Sequence, residues 1–342
     1  MPHDTLLVSA DSMLDHDQGP GHPESPARLR AILDRLHASP IAGARWAPPT
    51  PATREQLLRV HDPAFVAEVD AARGLYTALD PDVGLAPPSV DAAYLAAGSA
   101  VSAVEAVVSG AARRAFALVR PPGHHAERER AMGFCVFANV AVAAEHARAA
   151  LGLERVLIVD WDVHHGNGSQ HIFEGRRDVL VFNTHQHPHY PGTGAASEVG
   201  RGDARGFTVN VPLPGGLGDR DYAAVYRDLL VPIAEQFRPE LILVSAGFDP
   251  HRDDPLGDME VTSDGFANLC GTVCELADRL AGGRVVLLLE GGYDLQGLAD
   301  SVHACAAVLA GSTPPAVAPT ASPGGEAAIR LARASQSAFW RL

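Results

Sequence analysis

Five short runs of uninterrupted apolar residues constrain this chain most, because each runs straight into residues able to do chemistry. Phe116–Val119 leads into Arg120-Pro-Pro-Gly-His124-His125, and Val156–Val159 into Asp160-Trp-Asp162-Val-His164-His165-Gly-Asn167-Gly168. Val179–Phe182 leads into Asn183-Thr-His185-Gln-His187, Leu241–Val244 into Ser245-Ala-Gly-Phe-Asp249, and Val285–Leu289 into Glu290-Gly-Gly-Tyr293. Runs of leucine and β-branched residues without polar alternation read as strands buried on both faces. Alanine-rich stretches of helical length lie between them: Ser89–Ser109, Asn139–Leu151, Asp221–Gln236, Ser263–Leu280 and Leu295–Leu309. The alternation predicts an α/β chain with a mostly parallel sheet between helices, and such sheets bind ligands at the carboxyl ends of their strands. Five strand ends carrying His, Asp and Tyr therefore converge on one site.

The 342 residues read as one domain, 1–342, with a Pro/Gly-rich loop at 311–325. A terminal helix at 326–342 is expected to dock on the body or on another subunit, which leaves a homo-oligomer open. At 46% hydrophobic and 20% charged residues, the chain has the material for a sizeable core. A net charge of −14 argues against a nucleic-acid partner and suits a cationic one. All 27 basic residues are arginine, a compositional bias more than a mechanism. No apolar run approaches the roughly 20 residues that span a bilayer, and Met1-Pro2-His3-Asp4 opens no signal peptide. The expectation is a cytoplasmic protein with no membrane partner. Cys270 and Cys274, at helical spacing among apolar residues, read as small buried side chains.

Asp162 and His164 stand two residues apart at a strand end, so both side chains can project to the same side. Asp249 ends another buried strand and can supply a third ligand. Two carboxylates and one imidazole leave a position open for water, the arrangement of a catalytic zinc site, although Fe²⁺ or Co²⁺ suits the same set. Reading these aspartates as mere caps ignores the cost of unpaired carboxylates at buried strand ends. His185, His187 and His189 repeat the spacing, but Pro188 and Tyr190–Gly194 break a regular strand there, which predicts a loop lining the mouth of the site. His124 and His125 suit a proton shuttle and an electrostatic helper, with Asp160 and Asn167 as their acceptors. A carboxylate partner keeps its ring more cationic than an amide does, so the two rings should titrate apart. Tyr293, after two glycines, is a candidate donor to an oxyanion, or a packing residue.

Together these segments resemble the histone deacetylase family. The resemblance is carried by His22–Arg28, Arg120–His125, Gly133-Phe-Cys135, Asp160–Gly168, Tyr190–Gly194, Ser245–Asp249, Asp254-Pro-Leu-Gly257 and Leu289–Tyr293, in the family's order. Asn167, where class I enzymes carry aspartate, makes the chain similar to the class II-type and bacterial branch that includes acetylpolyamine amidohydrolases. The resemblance implies the three-layer arginase–deacetylase fold, an eight-stranded sheet between helices. It also implies zinc on Asp162, His164 and Asp249, His125 as general base and acid, His124 as helper on Asp160, and Tyr293 polarising the carbonyl. Phe134 and Tyr190 match the aromatic walls of the substrate tunnel; Gly133 and Asp82 complete the substrate-binding candidates. A structural K⁺ is implied on the Asp160–His164 segment, where Asn183 replaces the usual serine.

Leu256 stands where a polyamine-selective relative carries a glutamate, and Glu127 and Glu129 are alternative sources of an acidic rim. The expected reaction is hydrolysis of an acylated amine, acetyl-lysine foremost, with an acetylpolyamine as the alternative substrate. A two-metal ureohydrolase would need bridging aspartates that the segment after Asp249 does not offer. A silent acyl-lysine reader would need a lost catalytic residue, and none is missing.

Overall fold

In the computed structural model, which describes residues 4–342, the apolar runs are inner strands of one eight-stranded sheet. The strands in chain order are β1 (Thr5–Val8), β2 (Ala44–Ala47), β3 (Thr77–Asp80), β4 (Val83–Leu85), β5 (Arg114–Ala117), β6 (Val156–Asp160), β7 (Val179–Gln186), β8 (Thr208–Leu213), β9 (Leu241–Ala246) and β10 (Val285–Leu289). β3 and β4 form a separate hairpin. The sheet order is β2-β1-β5-β10-β9-β6-β7-β8, and every neighbouring pair is parallel. From β6 the chain fills the sheet outward to β8, then returns with β9 and β10 to close the gap beside β5. The four central strands therefore deliver the Arg120–His125, Glu290–Tyr293, Asp249 and Asp160–Asn167 segments side by side.

Three strands of the eight-stranded sheet escape the apolar-run criterion for physical reasons. β1 is short, β2 is a half-exposed edge strand, and β8 alternates polar with apolar residues and carries Pro212, tolerated at the opposite edge. β7 runs past Phe182 to Gln186, so His185 belongs to a buried strand and not to the expected loop.

The helices are α1 (Pro26–Ala38), α2 (Arg54–Leu58), α3 (Pro63–Ala71), α4 (Ser89–Val108), α5 (Asn139–Ala149), α6 (Asn167–Phe173), α7 (Asp219–Val225), α8 (Val231–Phe237), α9 (Ser263–Leu280), α10 (Leu295–Leu309) and α11 (Pro323–Gln336). The alanine-rich criterion misses α1, whose buried Leu29, Ile32, Leu33 and Leu36 recur at helical spacing among arginines, and the short α2, α3 and α6. One helix was expected over 221–236; two are found, joined by a π-helical turn at Tyr226–Leu230. Pro232 lacks the N–H that would continue the helix, and the wider turn absorbs the missing bond.

α4 does reach the length and apolarity of a membrane span, with mean hydropathy 1.3, against the sequence expectation. Its most apolar stretch is 67% buried, packed on α5 and β5 as a core helix. α11 begins at Pro323, where Ser322 caps it, and ends at Gln336, so it is displaced from the expected 326–342. It docks on the body: Gln336 Nε2 donates to Thr208 O and Trp340 Nε1 to Gly206 O, both at 2.8 Å. The β8 edge is thereby covered, whereas β2 leaves Trp46 41% exposed. All four cysteines are buried free thiols.

Candidate active site

Because β6 ends in Asp160-Trp-Asp162, its carboxylates turn back onto the loop that follows. Asp160 Oδ1 accepts from Asp162 N at 3.1 Å. Asp162 Oδ1 accepts from His164 N and its Oδ2 from Gly291 N, both at 2.9 Å. Asp249 Oδ1 accepts from Val163 N at 2.8 Å, linking β9 to the same loop. His164 Nδ1 lies 3.0 Å from Asp162 Oδ1 and 3.2 Å from Asp249 Oδ2. One ligand atom from each of these three buried residues lies within 4.8 Å of the others.

The group fits a metal on three counts. Asp249 Oδ2 is buried without a hydrogen-bond partner, a costly state for a carboxylate that a cation relieves. Two carboxylates and an imidazole are donors for a divalent transition ion. A Cβ at Gly247 would meet Asp162 Oδ2 at 2.0 Å, and one at Gly291 would meet Asp249 Oδ2 at 2.1 Å, so the carboxylates occupy space only glycine leaves free. Burial, then the charge of Asp162, pushes Asp249 up to about 7. Burial opposes a charge on His164, but the adjoining carboxylates of Asp162 and Asp249 carry its ring up to about 10. The triad draws positive charge.

His124 and His125 have ring centroids 4.0 Å apart and different partners. His124 Nδ1 lies 3.0 Å from Asp160 Oδ2, and His125 Nδ1 lies 2.7 Å from Asn167 Oδ1. Burial works against charge on both. For His124, Asp162 and Asp160 outweigh it and hold the ring well above the usual range. For His125, cationic His124 and His164 add to it and hold the ring well below. The two therefore titrate apart.

Glu290, a buried residue that the motif reading treats only as part of a loop, accepts from Gly123 N at 2.6 Å and His124 N at 3.1 Å. It fixes the backbone of the histidine pair, and burial pushes it up to about 7. Glu127 is no rim residue. Its Oε1 accepts from Asn167 Nδ2 at 2.7 Å, His171 Nδ1 at 3.0 Å and Arg130 Nη2 at 3.1 Å. Against the effect of burial, these bonds bring its carboxyl down to about 2. Glu129 is exposed.

Tyr293 reaches the cavity through Gly291 and Gly292, the latter at φ +118°. Tyr293 N and Asp294 N both donate to Asp254 Oδ2, at 2.6 and 3.2 Å. Buried Arg28 donates to Gly292 O at 2.6 Å and Glu290 O at 2.5 Å, and its guanidinium stands 4.9 Å from the Tyr293 ring centroid. Glu24 pairs Arg28 at 3.1 Å and Arg120 at 2.5 and 2.9 Å, all without exposed side-chain surface. Sequence reasoning marks His22–Arg28 only as a matching segment; a buried ion network spanning distant stretches leaves no local signal. Burial pushes the Tyr293 phenol up, so it stays protonated and able to donate.

A cavity of about 250 Å³ opens above these residues. Tyr190 stands 5.1 Å from the His125 ring and Phe134 6.0 Å from Tyr293, both edge to face. Gly133 has φ +57°, and a Cβ there would strike His125 Cδ2 at 2.3 Å. Phe134 follows at φ 66°, an uncommon backbone for an aromatic residue. Asp82, in the β3–β4 turn, accepts from Gly133 N and from the Tyr190 hydroxyl, both at 3.1 Å, and ties the two walls together. Leu256 also lines the cavity, its carbonyl 2.9 Å from His189 Nε2. His185, His187 and His189 do not converge: His185 is buried 2.9 Å from Gly194 O, and of the three only His189 lines the cavity. Asn183 Nδ2 and Thr184 Oγ1 each lie 3.4 Å from Asp160 O.

The histone deacetylase domain family matches residues 22–309 of the chain. Human polyamine deacetylase HDAC10 is 42% identical, over 93% of this chain and 49% of its own length. The histone deacetylase-like amidohydrolase of Pseudomonas aeruginosa is 45% identical over 85% of this chain and 77% of its own. A probable deacetylase of Archaeoglobus fulgidus is 38% identical over 86% and 82%. The crystal structure of the HDA15 HD domain superposes with a TM-score of 0.94 at 40% identity, covering 99% of this chain and 95% of that one. The chain spans about half the length of some curated relatives, HDAC10 among them. The fold implied by the resemblance is the fold observed.

Proposed function

Because this chain belongs to the histone deacetylase family, we propose that it is a zinc-dependent amidohydrolase that removes acetyl groups from lysine side chains. The observation that carries the reading is the convergence of Asp162, His164 and Asp249 with His125 and Tyr293 at one cavity. Zinc is the proposed ion, with Fe²⁺ or Co²⁺ able to use the same donors. When bound there, a divalent ion supplies charge that lowers the pKa of water toward about 7 and polarises the amide carbonyl. His125, bonded through Nδ1 to Asn167, presents Nε2 to take the proton of the attacking water. Cationic His124, steadied by Asp160, offsets negative charge beside it, and the Tyr293 phenol donates to the oxyanion. His125 then passes its proton to the departing nitrogen, and acetate and a free amine leave. The reading carries with it a structural K⁺ on the Asp160–His164 segment, where Asn183 competes for the Asp160 carbonyl.

Leu256 favours acyl-lysine over acetylpolyamine. Among the described residues that line the cavity mouth, Asp82 is the one carboxylate, and Gly133 and Tyr190 already occupy it. A remote ammonium finds no free carboxylate there, and leucine offers apolar contact alone. Polyamine deacetylation is the second reading, favoured by the likeness to HDAC10; the −14 charge suits both cationic substrates alike. Competition between an acetyl-lysine peptide and acetylated spermidine tests the choice. The peptide is expected to show the higher kcat/KM, and Leu256→Glu to narrow the ratio. A clear wild-type preference for the polyamine overturns the first reading in favour of the second.

A further inference from the structure

Asn167 is 2% exposed, and the two ends of its amide have opposite consequences for His125. With Oδ1 toward the ring, the amide accepts from Nδ1–H and leaves Nε2 as a lone pair facing the cavity. With Nδ2 toward the ring it would donate to Nδ1 and place the ring proton on Nε2, where it blocks a base. A half-turn of one amide separates the two states.

The far side of Asn167 decides between them. Its Nδ2 lies 2.7 Å from Glu127 Oε1, 3.3 Å from Met132 Sδ and 3.4 Å from His125 O, all acceptors. Glu127 itself is pinned. Its carboxylate takes bonds from His171 and Arg130, its N donates to Arg130 O at 3.0 Å, and its carbonyl lies 2.9 Å from His61 Nδ1. An ionised carboxylate can only accept, so the amide must turn its NH₂ outward and its oxygen to the ring.

The geometry points to Glu127 as a positioning residue: it fixes the direction of the Asn167 amide and, through it, the tautomer of His125. Asn167 and Glu127 together do what an aspartate at 167 would do alone, with the negative charge set one side chain further from the ring. The inference rests on the role proposed for His125, yet the tautomer is readable without turnover.

Long-range ¹H–¹⁵N spectra of the zinc-loaded protein, with His125 identified against His125→Ala, give that reading. Wild type is expected to show the Nδ1–H form, and Glu127→Gln, which keeps an acceptor oxygen, to retain it. Glu127→Leu is expected to shift His125 toward Nε2–H, as is Glu127→Met, whose length keeps the turn filled. For an acetyl-lysine peptide, kcat of Glu127→Leu should fall about 10- to 100-fold with KM within about twofold. Asn167→Asp added to Glu127→Leu should recover about tenfold, because aspartate faces the ring as an acceptor without a partner. Support of the turn alone would not be repaired from position 167. An unchanged Nδ1–H form in Glu127→Leu and Glu127→Met, or a double variant no better than Glu127→Leu, overturns the inference. A wild type that turns over no acyl-lysine sinks the deacetylase reading instead and leaves the tautomer measurement to stand alone.

Discussion

At the floor of the cavity every carboxylate accepts at least one main-chain N–H: Asp160 from Asp162, Asp162 from His164 and Gly291, Asp249 from Val163, Glu290 from Gly123 and His124. At the mouth, Phe134 and Tyr190 stand on loops, and one half-buried carboxylate, Asp82, ties them together. These bonds tie the loops that follow the central strands to one another, so the floor is held by the protein's own backbone. The mouth depends on few bonds and can be retuned. On the proposed function, reaction and substrate choice fall to separate parts of one cavity, and the separation can be tested.

The largest effect is expected from Asp249→Ala, which should abolish activity and remove the metal together. Full zinc occupancy in that variant, measured by elemental analysis, would remove Asp249 from the floor. Tyr293→Phe should leave fold and metal intact while kcat drops on the order of 10²–10³, as for the loss of one oxyanion donor. A kcat within a few-fold of wild type would make Tyr293 a packing residue of the mouth.

The support behind the floor should respond to acid. His61 is buried between Ala138 N and Glu127 O, at 3.0 and 2.9 Å, and burial lowers it from 6.5 to about 4. Between those values the unfolded chain binds a proton that the folded chain refuses. Stability is therefore full above about 6.5 and lost as pH falls toward about 4, by up to about 1.4 kcal/mol per pH unit. Urea unfolding at several pH values should show a shallower slope for His61→Gln; parallel slopes would refute the assignment. The smallest effect belongs to the mouth. Asp82→Asn should raise KM about three- to tenfold, equivalent to about 0.7–1.4 kcal/mol, with kcat nearly unchanged. A fall in kcat as deep as that of Tyr293→Phe would erase the distinction between the two regions.

The same division governs what can be read from the sequence. Asp162, His164 and Asp249 are legible because an aspartate closing a buried apolar run contradicts its surroundings unless something binds it. The five central runs are legible because strands covered on both faces need no alternation. Phe134 and Tyr190 emerge only by likeness to a family, since no spacing rule brings loops at 134 and 190 to one wall. Glu24, Arg28 and Arg120 fall in segments that carry the likeness, but their ion network lies beyond either route: its partners are up to 264 residues away in the chain, and no periodicity records them. Glu127 is misread as a rim residue because a charge after two histidines looks solvated until its three partners are seen.

The glycines at 247 and 291 have a consequence for descent. A methyl group at either would fall within 2.0 or 2.1 Å of a carboxylate oxygen of Asp162 or Asp249, so a step to alanine there displaces a proposed ligand. Positions with no side chain thus constrain the proposed ligands while offering nothing for a search by chemical type to find. With the floor closed on both sides in this way, the open paths of change for such a cavity begin at its rim, at residues such as Leu256 and Tyr190, and leave the reaction itself untouched.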